Sequence, residues 1–159
     1  MLSRISAAFS EVNGSGQLGT VASGAELRLW GLARLADASD PKRNSALDGL
    51  SLIAGDFNLA YGETLAIGND VSITSTGRWF IDGDGFSGQG SSEVTVSGTL
   101  VNAGALTIGP TTADGTGPTR VTAAALVNTG AVTLTGNAAN GSPNTADLII
   151  GGSAGFGTT

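Results

Sequence analysis

Apolar residues recur at a near-constant interval along most of this 159-residue chain, and this repetition constrains its fold more than any other feature. One column consists of Ile67, Val94, Val121 and Leu148, each 27 residues after the one before. Four further columns repeat at steps of 27 and then 26 residues: Ile73, Leu100 and Leu126; Gly77, Gly104 and Gly130; Trp79, Leu106 and Val132; and Ile81, Ile108 and Leu134. A period of this length predicts stacked repeats, each of which buries its apolar face on its neighbours.

Short segments with alternating apolar residues lie within each repeat. They include Leu65–Ile67, Val71–Ile73, Val94–Val96 and Leu106–Ile108, and Gly, Asn or Ser residues lie close to each of them. Apolar residues two apart are typical of strands, and strands in successive repeats would stack about 4.8 Å apart. Residues 46–159 are therefore predicted to form a mainly β, parallel solenoid with rungs of about 27 residues. Its interior is predicted to hold Val94, Leu106, Ile108, Val121, Val132 and Leu134.

A polar column accompanies the apolar ones. Ser75, Asn102 and Asn128 each stand two residues before a glycine of the repeating glycine column. Stacked side chains at such corners can form hydrogen bonds from rung to rung. We expect a structural ladder here, beside glycines that supply positive φ at the corners.

Residues 1–45 are predicted to form a separate α-helical segment. Ser23 is followed three residues later by Glu26, which is the capping-box pattern of a helix start. A helix of about three turns would place Leu29, Leu32, Leu35 and Ala36 on one apolar side. Leu27 and Trp30 would project elsewhere, so we predict them as partner-binding residues. This segment would either cap the solenoid or attach it to another protein, and Pro41 and the polar residues after it would form a linker.

Composition excludes several classes of function. A formal charge of −6 with seven scattered Lys and Arg residues gives no basic stripe for nucleic acid. The absence of His and Cys excludes Ser-His-Asp and Cys-His nucleophiles and the usual zinc ligands. No apolar signal region follows Met1, and no apolar run approaches the about 20 residues of a membrane helix. We therefore expect no catalytic residues, no cofactor and no metal.

One carboxylate cluster leaves alternatives open. Asp82-Gly83-Asp84-Gly85 is typical of a turn between rungs. The same oxygen-rich segment could hold calcium, although it lacks a full calcium-loop pattern, or could pair with Glu93 as the acid and base of sugar cleavage. The segments Pro110–Pro118 and Gly136–Thr145 are predicted to be exposed loops, and such loops often carry function.

The stretch from Val94 to Gly109 and its echo from Val121 to Thr135 resemble two groups of right-handed parallel β-helix proteins. One group comprises phage tail fibres and tailspikes, and the other comprises haemagglutinin-like adhesins and autotransporter passengers. The resemblance covers the chain from about Leu50 onward and implies a right-handed coil, homotrimerisation and a non-enzymatic structural role. The short N-terminal segment is more similar to a virion appendage that docks to the particle and projects its β-rich part.

That resemblance leaves three functions open. The expected one is a fibre, spike or decoration subunit of a virion that contacts other particle proteins and a host-surface glycan or receptor. The alternatives are a fragment of a secreted bacterial adhesin, located outside the cell or on its surface, and a carbohydrate-cleaving tailspike.

Overall fold

The structure is a computed structural model and describes residues 12–13, 16–85, 90–111, 117–136 and 144–157. In this part of the chain, short strands stack in parallel as a β-solenoid of about four turns. The strands are β1 (Val12–Asn13), β2 (Gln17–Leu18), β3 (Thr20–Val21), β4 (Glu26–Trp30), β5 (Leu52–Ile53), β6 (Asp56–Ala60), β7 (Thr64–Ile67), β8 (Val71–Ile73), β9 (Arg78–Ile81), β10 (Glu93–Asn102), β11 (Ala105–Ile108), β12 (Thr119–Asn128), β13 (Ala131–Leu134), β14 (Ala146–Ile150) and β15 (Ala154–Phe156). A 3-10 helix spans Ser45–Leu47.

The strands form three faces around one core. The first face stacks β7, the start of β10, the start of β12, and β14. The second stacks β3, β5, β8, the ends of β10 and β12, and β15. The third face is a separate sheet in the order β4, β6, β9, β11 and β13. The only antiparallel pair among the described strands is β1 with β2. No helix in the described residues is long and apolar enough to cross a membrane.

The predicted period is confirmed for the rungs from β10 onward. Val94 pairs with Val121, and Val121 pairs with Leu148. On the third face, Trp79, Leu106 and Val132 lie in register, as do Ile81, Ile108 and Leu134. The repeat therefore identifies true neighbours in these rungs, and the change of step from 27 to 26 corresponds to a register shift between Val96 and Thr99.

The predicted register is wrong by two residues for β7 and β8. Val94 pairs with Leu65 instead of Ile67, and Leu100 pairs with Val71 instead of Ile73. The cause is the corner between β8 and β9, where residues 74–77 occupy four positions and the next rung uses only residues 103–104. Since side chains alternate with period two, a two-residue error leaves each residue on its predicted side of the sheet.

The glycine column has a different cause from the one predicted. Gly77, Gly104 and Gly130 stack as expected, but none of them has a positive φ. A Cβ on Gly104 would lie 2.2 Å from the carbonyl oxygen of Gly77, and a Cβ on Gly130 would lie 2.2 Å from that of Gly104. These glycines are required because the corner backbones approach too closely for any side chain.

The polar ladder is confirmed for its two asparagines. Asn102 Nδ2 donates to Asn128 Oδ1 at 2.6 Å and to the carbonyl oxygen of Ala131 at 2.9 Å. Asn102 Oδ1 also accepts a hydrogen bond from the backbone N–H of Gly104. Ser75 is exposed and stands outside the ladder, because the longer corner places Ile73 beneath Asn102. The ladder therefore fixes the corner between the second and third faces in the later rungs.

The interior is apolar along its length and loses its cover at the last rung. Val94, Leu106, Ile108 and Val121 are at most 1% exposed, as predicted. Val132 is only partly buried, and Leu134 is 46% exposed. The prediction of a buried Leu134 is wrong because β13 is the last described strand of its face, and no further described strand covers it.

The predicted N-terminal helix is wrong. Residues 26–30 form strand β4, which pairs in parallel with β6, and Leu27 and Leu29 enter the core. Gly31 has φ 67° and ends the strand, while Leu32, predicted to lie on the apolar side of the helix, is 93% exposed. The sequence Glu-Leu-Arg-Leu-Trp alternates with period two, and pairing with β6 satisfies its backbone better than a short isolated helix could.

Strands on either side of the predicted boundary at residues 45 and 46 pair with one another. β3 pairs with β5 and β4 pairs with β6, and one hydrophobic core runs from Leu18 to Leu126. Residues 31–51 form a loop around the 3-10 helix, and this loop buries Leu47 and Leu50 completely. The described N-terminal region is thus part of the solenoid, and the 3-10 helix of the loop contacts β2 and β7.

Asn44 and Glu63 join this loop to the first face. Asn44 Nδ2 donates to Glu63 Oε2 at 3.0 Å and to the carbonyl oxygen of Thr64, and Asn44 Oδ1 accepts from the Leu35 N–H. Burial raises the pKa of the Glu63 carboxyl above its usual 4.5. Glu63 Oε1 is buried and accepts no hydrogen bond within the described residues.

Candidate functional site

The predicted partner-binding residues lie on β4 and point in opposite directions. Leu27 is 3% exposed within the core, so the expectation that it is exposed is wrong. Trp30 is partly buried on the outer side, with its ring edge-on to Tyr61 at 6.1 Å and the Arg28 guanidinium 5.3 Å from its centroid. Of the two, only Trp30 presents a surface to a partner, and its partner-binding role stays a prediction.

Asp82 is a structural residue that ties three rungs together. Its side chain is fully buried, and its backbone has φ 56°, a conformation that Asp adopts more readily than most residues. Oδ1 accepts hydrogen bonds from the Tyr61 N–H and the Ser92 hydroxyl, and Oδ2 accepts them from the Ser92 N–H and the Thr119 hydroxyl. Four donors therefore satisfy this carboxylate, and the predicted turn at Asp82 has a clear structural purpose.

The other predicted carboxylates are separated from Asp82. Glu93 is exposed at the start of β10, in register with Arg120, whereas Asp84 is partly buried beside the third face. Within the described residues, no three carboxylates group closely enough to hold a metal ion. The structure thus does not bring Asp82, Asp84 and Glu93 together as one site, and the expected absence of metal stays a prediction.

The outer surface of the third face carries a groove of about 430 Å³. Its floor is formed by outward side chains of β4, β6 and β9, and its wall by the turn at Gly83–Gly85 and by Thr111. The floor residues lie in two columns that follow the strand register: Glu26, Asp56 and Arg78 in one, and Arg28, Asn58 and Phe80 in the other. The register of three rungs therefore brings together side chains that are far apart in sequence.

Two ion pairs hold most of the charge in this groove. Arg78 binds Asp56 through two nitrogens, at 2.7 and 2.5 Å, and Arg28 binds Glu26. The Asp56 carboxylate raises the pKa of the Arg78 guanidinium. Asn58 differs from these residues, because it is 3% exposed and its Oδ1 accepts no hydrogen bond from the described part of the chain.

The last rung exposes the apolar interior of the solenoid. Leu148 and Ile150 point inward but are only partly buried, and Phe156, which pairs with the buried Asn128, is 66% exposed. We call Leu134, Leu148, Ile150 and Phe156 together the open end of the solenoid. The other end of the interior is covered, since Leu27 and Leu29 are at most 3% exposed.

No pattern in the sequence predicts the groove. Its strands pair Glu26 with Asp56 and Asp56 with Arg78, so their spacing is first longer and then shorter than the repeat of the later rungs. The available signal was the alternation within Asp56–Ala60 and Arg78–Ile81, which sends Asn58 and Phe80 outward. That alternation identifies residues that point away from the core but does not pair the strands.

The predicted exposed loops lie largely beyond what the structure describes, because residues 112–116 and 137–143 fall outside it, as do residues 1–11. No protein-family model, no curated protein and no solved structure matches this chain. Function must therefore be argued from the surfaces themselves.

Proposed function

We propose that this chain is a non-enzymatic structural segment of an extracellular appendage, and that it assembles with further copies through the open end. The observation that carries the proposal is the contrast between the two ends of the interior. At the N-terminal end the inward side chains Leu18, Val21 and Leu27 are 3–6% exposed, whereas the open end presents Leu134 at 46% and Phe156 at 66% exposure. Repeat proteins need a polar cap on each terminal repeat, so an apolar end requires a partner.

Unpaired strand edges support the same role. Among the described strands, β13, β14 and β15 each pair on one side only, and their other edges present backbone donors and acceptors to a further strand. A second copy placed on this end would gain both these hydrogen bonds and apolar burial. A virion fibre, spike or decoration subunit, assembled as the homotrimer that the resemblance implies, is the appendage we favour. We take the coil to be right-handed, as parallel crossover connections are in about 98% of cases.

A fragment of a secreted bacterial adhesin is the second candidate, and the same open end favours it. In a long solenoid, the next rung would pair with β14 as β14 pairs with β12. The carbohydrate-cleaving alternative gains no support, because two free carboxyls about 5–9.5 Å apart are needed and the Asp82 carboxylate is buried and occupied by four donors.

The test is the solution mass of the full chain across a range of concentrations. We expect the parent to exceed its monomer mass of 15.6 kDa and Phe156→Lys to return to that mass, because a charge at the open end opposes apolar contact. Leu32→Lys is the matched control, since Leu32 is 93% exposed but lies on the closed half of the molecule. A parent that stays monomeric at every concentration, or equal behaviour of the two variants, contradicts assembly through the open end.

A further inference from the structure

The outer part of the loop between β4 and β5 buries less of its surface than the residues that follow it. Residues 31–44, which we call the strap, follow β4 and end next to the 3-10 helix. Apart from Asn44, the strap residues are exposed or partly buried, whereas Ala46, Leu47 and Leu50 after it are at most 4% exposed. Segments that bury little apolar surface open locally at a lower free energy than the core does. The strap is therefore placed to open while the residues after it stay anchored.

The strap covers one edge of β7. Strand β7 pairs with β10 on one side, and no described strand pairs with its other edge. On that edge, the Thr64 carbonyl accepts a hydrogen bond from Asn44 Nδ2 at 3.2 Å, and the Gly68 N–H donates to the Asp48 carbonyl just after the strap. An uncovered strand edge is a template for pairing with another chain, so the strap protects this edge.

Asn44 is the residue that fastens the strap. Its Nδ2 also donates to Glu63 Oε2 at 3.0 Å, and its Oδ1 accepts from the Leu35 N–H at 3.0 Å. Asn44 and Glu63 are both buried, at 4% and 6% exposure. The closed strap therefore depends on a contact between a buried amide and a buried carboxyl group.

Ionisation of the Glu63 carboxyl group has a cost that depends on the strap. Its Oε1 is buried and accepts no hydrogen bond from the described residues, and burial raises the pKa of this group above its usual 4.5. Opening of the strap returns the carboxyl group to water, where its pKa is ordinary. Protonation thus favours closure fully below pH 4.5, and this contribution is lost as pH rises through the pKa of the closed state.

The charged groups around Glu63 do not cancel the effect of burial. Arg34 on the strap attracts the ionised carboxylate, but it is exposed and lowers the pKa of Glu63 less than burial raises it. Glu93 on β10 supplies no counter-charge, and neither does Asp82, which is joined to the Glu63 N–H through Ser92. Other charged residues of the loop pair with one another at the surface, namely Arg43 with Asp40 and Asp48.

We infer that the strap is a pH-dependent cover of the β7 edge, closed while Glu63 is protonated and opening more often once Glu63 is ionised. Opening separates Asn44 from Glu63 and Thr64 and exposes the backbone groups of β7 that face away from β10. This device lies on the early rungs and does not rest on the proposed assembly through the open end.

Amide hydrogen exchange of the full chain, followed by NMR from about pH 4 to pH 8, measures this opening. The Leu35 and Ala46 N–H groups report on the strap, since they donate to Asn44 Oδ1 and to the Leu35 carbonyl, and the Ala105 N–H reports on the core. After correction for intrinsic exchange, we expect Leu35 and Ala46 to be less protected than Ala105 and to lose protection as pH rises above 4.5. Equal protection of strap and core amides, or strap protection that does not change with pH, overturns the inference.

Variants identify the titrating group. Glu63→Gln cannot ionise, so its strap amides should keep constant protection over the same pH range. Asn44→Ala lacks the fastening contact and should show low strap protection at every pH, while Ala105 stays protected. Glu93→Gln is the matched control, because Glu93 is an exposed carboxyl residue in register with Thr64 and its removal should preserve the parent's pH profile. A parent-like profile in Glu63→Gln, parent-like strap protection in Asn44→Ala, or a flat profile in Glu93→Gln refutes the inference.

Discussion

Substitution of Gly104 by alanine tests whether close backbone approach explains the glycine column. A Cβ at this position would lie 2.2 Å from the carbonyl oxygens of both Gly77 and Thr74. These are backbone atoms of the preceding rung and cannot rotate away. To reach even 3.0 Å, the two rungs would have to separate locally by roughly 1 Å.

The magnitude follows from the hydrogen bonds across that gap. The Ala105 N–H donates to the Gly77 carbonyl at 3.1 Å, and the Ala103 N–H donates to the Ile73 carbonyl at 2.8 Å. The required separation takes both beyond hydrogen-bonding distance, at about 0.5–1.5 kcal/mol each, and overpacking of the corner adds about 1–3 kcal/mol. We expect Gly104→Ala to lower the free energy of unfolding by about 2–6 kcal/mol.

Two other glycines provide controls for this measurement. A Cβ on Gly155 would meet no described atom within 4 Å, and Gly155 has no positive φ, so Gly155→Ala should change stability by less than about 0.5 kcal/mol. Gly31 has φ 67° and open space around it in the described structure, so Gly31→Ala should cost about 1 kcal/mol. Gly31→Asn should cost less, because Asn tolerates this conformation.

The assay is urea unfolding followed by far-UV circular dichroism, compared at equal m-values. The steric explanation requires Gly104→Asn to be at least as harmful as Gly104→Ala. If Gly104→Asn instead recovers stability, or if Gly104→Ala matches Gly155→Ala, close approach is not what selects glycine in this column.

Three further predictions concern buried polar groups. Asp82→Asn places an amide among four donors and should cost about 3–5 kcal/mol in the free energy of unfolding; a loss below about 1 kcal/mol would contradict the role of Asp82 in tying the rungs together. Asn102→Ala removes three hydrogen bonds of the ladder and should cost about 1–3 kcal/mol in the same assay, whereas a neutral result would show that the ladder adds nothing. Because the pKa of Glu63 is raised in the folded state, its contribution to stability is fully present below 4.5 and is lost as pH rises through the folded value. The melting temperature of Glu63→Gln should therefore increase relative to the parent as pH rises above 4.5, and a constant difference would refute this.

The sequence predicts the solenoid because the repeat shows which residues occupy equivalent positions in successive rungs. The columns through Val94, Val121 and Leu106 are right because the corners of these rungs differ by one residue only, and the change of step from 27 to 26 in the sequence already includes that difference. The displaced register of β7 could not be predicted, because the two extra residues at 74–77 shift alignment without changing the inward or outward direction of any side chain.

The wrong helix prediction shows that tertiary strand pairing can override a local sequence pattern. Ser23 and Glu26 fit a helix start, but Gly24 has φ 76° and the following strand β4 alternates in burial. Helix signals of this kind are worth about 1 kcal/mol, whereas pairing β4 with β6 satisfies a strand's backbone and buries Leu27 and Leu29. The two interpretations differ only through the partner strand β6, which lies too far along the chain for any local window to contain it.

The outward side chains of the third face differ between its later strands, β11 and β13, which we call the regular rungs, and its earlier strands, β4, β6 and β9, which we call the irregular rungs. In the regular rungs its outward positions hold Ala105, Thr107, Ala131 and Thr133, which are small side chains suited to stacking. In the irregular rungs the equivalent positions hold the ion pairs, Asn58 and Phe80. A rod that served only to stack would gain stability by extending the small residues and replacing an unpaired buried amide. The early rungs retain both the buried Asn58 and the aromatic beside it, so the outward surface of the third face changes its character where the chain departs from the repeat.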